Sequence, residues 1–193
     1  MSKITTYMKK YILTLVVLTI SLMHVEAQVD AVFVNVPVVN GKVIFEQFIL
    51  ADQLSGASQR YAKLQNWTKK NFTGNPLLSG IRFDDKAQTV TVSSKAELQL
   101  PANKAGVREN MIMSYRFDAT ITNAGCILVV RDITYQKARK EEGSFFPKIY
   151  VAEETITDQA VGISGDESEL RNNLRKETLL LLNRLYADLL GAF

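Results

Sequence analysis

Along residues 111–121 apolar and polar side chains alternate: Met111, Met113, Tyr115, Phe117, Ala119 and Ile121 fall on one side, Ser114, Arg116, Asp118 and Thr120 on the other. A period of two places successive side chains on opposite faces of a strand, so this segment predicts a strand with one face in a core and the other wet or functional. After a turn at residues 122–125, Ile127 and Val129 oppose Leu128 and Val130. Apolar residues on both faces predict a central or covered strand over 127–135. Weaker alternation, with Val90 and Val92 among threonines and serines, predicts a strand over 88–94 that bends and continues as 97–100. Upstream, β-rich runs flank Asn40-Gly41, a dipeptide suited to the positive φ angles of a tight hairpin. Pro37 lacks a ladder donor and demotes the first arm to an edge or lead-in, leaving 42–50 as the firmer strand.

Two stretches repeat at helical spacing instead. Ala57, Tyr61, Leu64 and Trp67 mark an amphipathic helix that starts near a Ser55 cap and ends at 72–74. Its basic residues Arg60, Lys63, Lys69 and Lys70 are assigned to a solvated face. Leu170, Leu174, Leu181, Leu185 and Leu189, widened by Leu179, Leu182 and Tyr186, predict a final helix over 167–190 with Ser164 or Asp166 as its cap. So broad a stripe suits a helix lodged between a sheet and a second helix. The 136–168 connection is long enough to hide short elements or a functional loop. The order is a strand, a helix, three or four antiparallel strands and a helix, which is α+β with two helices on one face of the sheet.

Charge changes the picture chiefly at the start of the chain. Lys3, Lys9 and Lys10 precede the uncharged run 11–23, and Val25-Glu26-Ala27 offers small residues where signal peptidase reads them. We expect a signal peptide cleaved between Ala27 and Gln28, with translation from Met1 or Met8, and a single domain over 28–193. An uncleaved amphipathic anchor is the alternative. Gln28 stands where a lipid-anchored protein needs cysteine, so the expected location is periplasmic or secreted, with no stable membrane anchor after cleavage. Removing Lys3, Lys9, Lys10 and Glu26 takes 23 basic and 20 acidic residues to 20 and 19, a net charge of +1. No global field then remains to draw in nucleic acid. Cys126 is the single cysteine, which excludes an internal disulfide, and it opens an apolar strand as a structural thiol.

Removing the leader also removes His24, the single histidine. Without imidazole there is no Ser-His-Asp or Cys-His machinery and no histidine-ligated zinc. Residues 161–166 read VGISGD, with Asp166 where a nucleophile elbow needs glycine. Neither glycine-rich phosphate loop is present, and no motif calls for a metal or cofactor. The carboxylate neighbours Asp84-Asp85, Glu141-Glu142 and Glu153-Glu154 are the remaining acid-base candidates, yet sequence neighbours diverge on a strand and are solvated in turns.

The stretch NGKVIFEQ at 40–47, the helix with Tyr61, Trp67 and Lys70-Asn71-Phe72, the turn Asp84-Asp85-Lys86 and AEETITD at 152–158 together resemble a family of secreted bacterial domains of unknown function with a TBP-like fold. The similarity spans residues 38–190. The turn TNAGC at 122–126 departs from the charged Lys-Asp-Gly turn of that family. The resemblance implies an exported protein of gut-type Gram-negative bacteria and brings no catalytic residues. A fold carries no function by itself. The expected function is therefore non-catalytic: an exported binding or adaptor domain in the cell envelope. It would hold an envelope protein or an apolar or glycan ligand on the uncovered sheet face or on the aromatic loop Phe145, Phe146 and Tyr150. The same aromatics could instead simply cover the central strand. A structural subunit assembling with itself or with an envelope protein through the leucine helix is the alternative, and a carboxylate-dependent hydrolase a third reading.

Overall fold

The computed structural model describes residues 31–51, 54–74, 79–102, 106–138 and 146–193. The leader with its Ala27/Gln28 junction, the Glu141-Glu142 pair and Phe145 lie outside the described residues.

A short hairpin, β1 (Val38–Val39) and β2 (Lys42–Val43), turns on Asn40 and Gly41, whose φ angles are 50° and 75°. The arm expected over 42–50 is split at Ile44, whose N–H is taken by the Pro37 carbonyl. Beyond it β3 (Phe45–Leu50) enters the main sheet with β4 (Ser79–Asp84), β5 (Thr89–Gln99), β6 (Asn110–Ile121), β7 (Gly125–Lys137) and β8 (Ile149–Val151). The strands lie in the order β3-β7-β6-β5-β4, all neighbours antiparallel, and β8 pairs the far end of β7. β5 runs without the expected bend. The edge strand β4 was not anticipated, because Gly80 and Arg82 interrupt its apolar signal.

The alternation of β6 is obeyed at every core position from Met111 to Ile121, and β7 adds Cys126, Leu128, Val130, Ile133 and Tyr135. The switch from even to odd numbers on β7 is a bulge. Arg116 pairs with Arg131 and Ser114 with Thr134, so Tyr115 alone faces Asp132 and Ile133. Asp132 takes up the extra residue at φ 56°, in the left-handed region that Asp tolerates better than most. At the other end of β7, Gly125 touches β3 so closely that a Cβ there would lie 2.0 Å from the Ile49 carbonyl oxygen. The Phe48 ring covers the bare glycine.

Helix α1 (Ala57–Phe72) starts from Gly56, not Ser55, with the Gln59 side-chain oxygen accepting the Gly56 N–H at 3.3 Å. It buries Tyr61, Leu64 and Trp67, and Trp67 meets the Phe72 and Phe117 rings with centroids 5.6 and 6.0 Å away. Arg60 is a correction: it is 5% exposed, not solvated, and donates from Nη2 to the Asn123 carbonyl at 3.0 Å. It ties α1 to the β6–β7 turn, while its Nε and Nη1 are buried without acceptors.

The long connection holds β8 and two single-turn helices, α2 (Ala152–Thr155) and α3 (Asp158–Val161). Helix α4 (Ser168–Leu190) follows, preceded by Glu167 without a side-chain cap, so neither Ser164 nor Asp166 serves. Leu174, Thr178, Leu182, Leu185 and Leu189 are buried, and Thr178 shares a 2.8 Å hydrogen bond with the Tyr135 hydroxyl. The Asn183 side chain accepts from the N–H groups of Val32 and Phe33 and donates to the Phe33 carbonyl, tying residues 32–33 across α4. Both long helices thus pack on one face of the sheet, as expected, and the leucine stripe is consumed in the core.

Substitutions at two positions test this framework. Gly125→Ala should lower unfolding stability by about 1–3 kcal/mol through forced separation of β3 and β7. Asp132→Val should cost about 1–2 kcal/mol because a β-branched residue resists positive φ, while Asp132→Asn stays near neutral. Urea denaturation reads both, and an unchanged Gly125→Ala midpoint would contradict the close approach.

Candidate functional site

Every long-helix contact described above runs to the Phe117 side of the sheet, so among the described residues the opposite side is open. Register determines what that side presents. Glu46, Phe48 and Leu50 of β3 lie beside Val129, Ile127 and Gly125 of β7. The neighbouring β6 offers Ile112, Ser114, Arg116, Asp118 and Thr120, and β5 offers Thr89, Thr91, Ser93, Lys95 and Glu97. Leu50 is 66% exposed and Phe48 42%, with Ile127 and Val129 half-buried between them and β6. The face therefore has an apolar corner on β3 and β7 and a polar middle.

The polar middle is organised by one carboxylate. The β7 bulge sets Arg131 directly opposite Arg116, a like-charge pairing that is unfavourable across strands. Asp118 resolves it: its Oδ2 accepts from Arg131 Nε at 3.1 Å and Nη2 at 2.8 Å, and its Oδ1 accepts from Thr91 Oγ1 at 2.6 Å and Arg116 Nη2 at 3.4 Å. Burial alone would raise the Asp118 pKa. The hydrogen bonds from Thr91 and Arg131, with the charges of Arg116 and Arg131, outweigh it and hold the carboxyl below its usual range. Arg116 keeps its Nε buried with no acceptor. The result is a pinned, polar platform beside an exposed apolar corner.

Residues 45–136 match the family described as a domain of unknown function, DUF4468, with a TBP-like fold. A TBP-like protein from Parabacteroides distasonis ATCC 8503 superposes with a TM-score of 0.64 at 23% identity, covering 81% of this chain and 96% of that one. A DUF4468 family protein from Bacteroides ovatus ATCC 8483 gives 0.65 at 20% identity, covering 81% and 89%. The fold is TBP-like. Among curated proteins nothing matches.

In this TBP-like domain the residues singled out from the sequence are scattered. Tyr150 pairs with Tyr135 across β7 and β8, so its ring turns to the helix side of the sheet, half-buried, with Lys148 Nζ 4.6 Å from its centroid. Lys148 also donates to Glu167 at 2.7 Å, and Tyr150 lines a cavity of about 220 Å³ with Leu100 and Leu170. Phe146 is 84% exposed. Tyr150 thus belongs to the sheet edge and does not join the open face. The carboxylates go to structural work as well. Asp84 accepts the Ala87 N–H in the β4–β5 turn, Asp85 accepts from Tyr61 and Gln65 of α1, and Glu153 accepts the Val43 N–H at 3.2 Å. Glu154 is exposed. Burial pushes the Cys126 thiol up to about 12, leaving it protonated and inert at neutral pH.

Phe48, Leu50 and Arg131 escaped the sequence reading, whereas Arg116 and Asp118 were visible as the wet side of the β6 alternation. Asp118 generates a pH prediction. Its folded pKa is depressed, so its stabilisation is present above the unfolded value near 3.9 and is lost as pH falls through the folded value. Asp118→Asn should cost about 1.5–3 kcal/mol at neutral pH, the range for hydrogen bonds to charged groups, and should flatten the loss of stability below pH 4. Denaturation midpoints at pH 7 and pH 3 check this; an equal acid loss in both proteins would contradict it.

Proposed function

We propose that the chain is an exported, non-catalytic binding module that holds a protein partner of the cell envelope on the open face of its sheet. One observation carries the reading: a solvent-exposed apolar corner, Leu50 with Phe48, Ile127 and Val129, stands beside a pre-ordered arginine and carboxylate platform. An apolar anchor next to fixed polar groups is the composition of a protein interface. Phe48 has a structural duty over Gly125, but Leu50 has none of that kind.

Charge favours a protein over nucleic acid. On this face Arg82, Lys95, Arg116 and Arg131 are matched by Glu46, Asp84, Glu97 and Asp118, whereas a nucleic-acid surface needs a net positive field. Export is supported by the basic start and uncharged run of residues 1–23. Self-assembly through the leucine helix is disfavoured, since its stripe is spent on the core of the same chain.

The test is retention of envelope proteins from the native organism by the immobilised domain and by Leu50→Lys. A surface substitution of this kind changes stability by less than about 0.5 kcal/mol, so folding is preserved. We expect a partner retained by the native domain and lost with Leu50→Lys, at unchanged circular dichroism. Equal retention by both proteins would remove the open face from the interface.

A further inference from the structure

The hydrogen bonds of β5 determine what β4 presents at its outer edge. The Leu100 N–H donates to the Glu109 carbonyl and the Ile121 N–H to the Gln88 carbonyl, so in the antiparallel pairing of β5 with β6 the even-numbered residues of β5 spend their backbone groups on β6. The odd-numbered residues turn to β4, where Thr91 faces Arg82 and Ser93 faces Gly80. Gly80, Arg82 and Asp84 therefore bond β5, and the N–H and C=O groups of Ile81 and Phe83 point outward. Among the described residues β4 pairs with β5 alone. An edge with unmatched backbone groups is a template for a further strand.

The two sides of this edge differ in chemistry. On the helix side Ile81 and Phe83 are half-buried against the core, with Lys69 Nζ 5.4 Å from the Phe83 ring centroid. On the open side Arg82 is exposed and forms no ion pair among the described residues. Gly80 leaves a gap beside it, since a Cβ there would meet only the Ser93 Cβ, at 4.0 Å. Register gathers Arg82, Lys95 and Arg116 around Ser93, and the Arg116 Nε is buried with no acceptor. The acids nearby are already committed: Asp118 accepts from Thr91, Arg116 and Arg131, and Asp84 accepts the Ala87 N–H.

We infer that the β4 edge takes up an extended segment of a protein partner in which acidic and apolar residues alternate. In antiparallel pairing the apolar residues of that segment lie opposite Ile81 and Phe83 and exchange backbone hydrogen bonds with them. Its acidic residues lie opposite Gly80 and Arg82 and meet the basic groups of the open side. A charged edge turns away an uncharged strand and admits one of opposite charge. A second copy of the chain fits poorly: Asp84 of a second β4 comes opposite Arg82 only where the overlap is limited to residues 82–84. Strand addition rests on the reading of the domain as a protein-binding module and supplies it with a second contact, four strand spacings or about 19 Å from β3 and its Leu50 corner.

The experiment follows hydrogen exchange of individual N–H groups by NMR in the isotope-labelled protein. The probe is an end-blocked hexapeptide alternating glutamate and valine, added to about 5 mM, which reaches any Kd tighter than about 1 mM. Exchange at Ile81 and Phe83 should slow about fivefold or more, while Arg82, whose N–H already bonds β5, stays unchanged. Methylating the valine nitrogens of the peptide, or replacing its glutamates by lysine, should abolish the effect; methylating the glutamate nitrogens, which face away from β4, should not. Arg82→Gln, on an exposed side chain, should weaken binding about fivefold or more, as loss of a charge-assisted bond requires. No envelope protein takes part, so failure here is separate from failure of retention through Leu50. Unslowed exchange at Ile81 and Phe83 would overturn the inference. So would equal slowing by the lysine or valine-methylated peptide, or equal affinity in Arg82→Gln.

Discussion

A strand that pairs β6 along its whole length, β3 at one end and β8 at the other must bring its core side chains to a single face. β7 cannot do so by alternation alone, because Leu128 and Val130 are even-numbered while Ile133 and Tyr135 are odd. The extra residue at Asp132 resets the count, and all four side chains reach the same core. Without that bulge, a one-residue slip would carry Ile133 and Tyr135 to the open face and break the bond between Tyr135 and Thr178 that seats α4. The packing of the last helix therefore depends on a backbone irregularity in the central strand.

The same irregularity shapes the other side of the sheet. Resetting the register brings Arg131 opposite Arg116, and the sheet tolerates the pair because Asp118 stands one step along β6 and gathers both guanidinium groups. Two positive charges and one negative charge in a half-buried setting leave the arginines ordered by the fold itself. A partner meeting them would not bear the full cost of immobilising two long side chains, which is the general advantage of a pre-ordered surface. Leu50 and Ile127 stand beside this platform because Gly125, lacking a side chain, lets β3 come close to β7 and lets the Phe48 ring lie over the gap.

The β6 strand, the central position of β7 and both long helices were legible in the sequence, because each is written in a period that spans many residues. The bulge left only a change of parity between Val130 and Ile133, with nothing to say which residue between them is unpaired. β4 was hidden because an edge strand pairs on one side only and needs no continuous apolar face, so Gly80 and Arg82 could sit within it. Arg60 was misassigned for a related reason: charge predicts solvent on average, but this side chain is drawn inward by the Asn123 carbonyl of a turn more than sixty residues away. The open face was half legible, since alternation named Arg116 and Asp118 as outward-facing. Which outward residues become neighbours depends on strand order, and the arrangement β3-β7-β6-β5-β4 is not contained in any local pattern.

Strand order also explains why the domain offers two different surfaces. Consecutive residues of β6 address opposite sides of the sheet: Phe117 supports Trp67 of α1, while Asp118 anchors the arginines of the open face. The helix side is built by packing, so its apolar side chains are spent on α1 and α4. The open side is built by register, so it is broad and its chemistry is spread over five strands. The backbone that separates them is one sheet thick, and it is held on both sides by residues adjacent in the sequence.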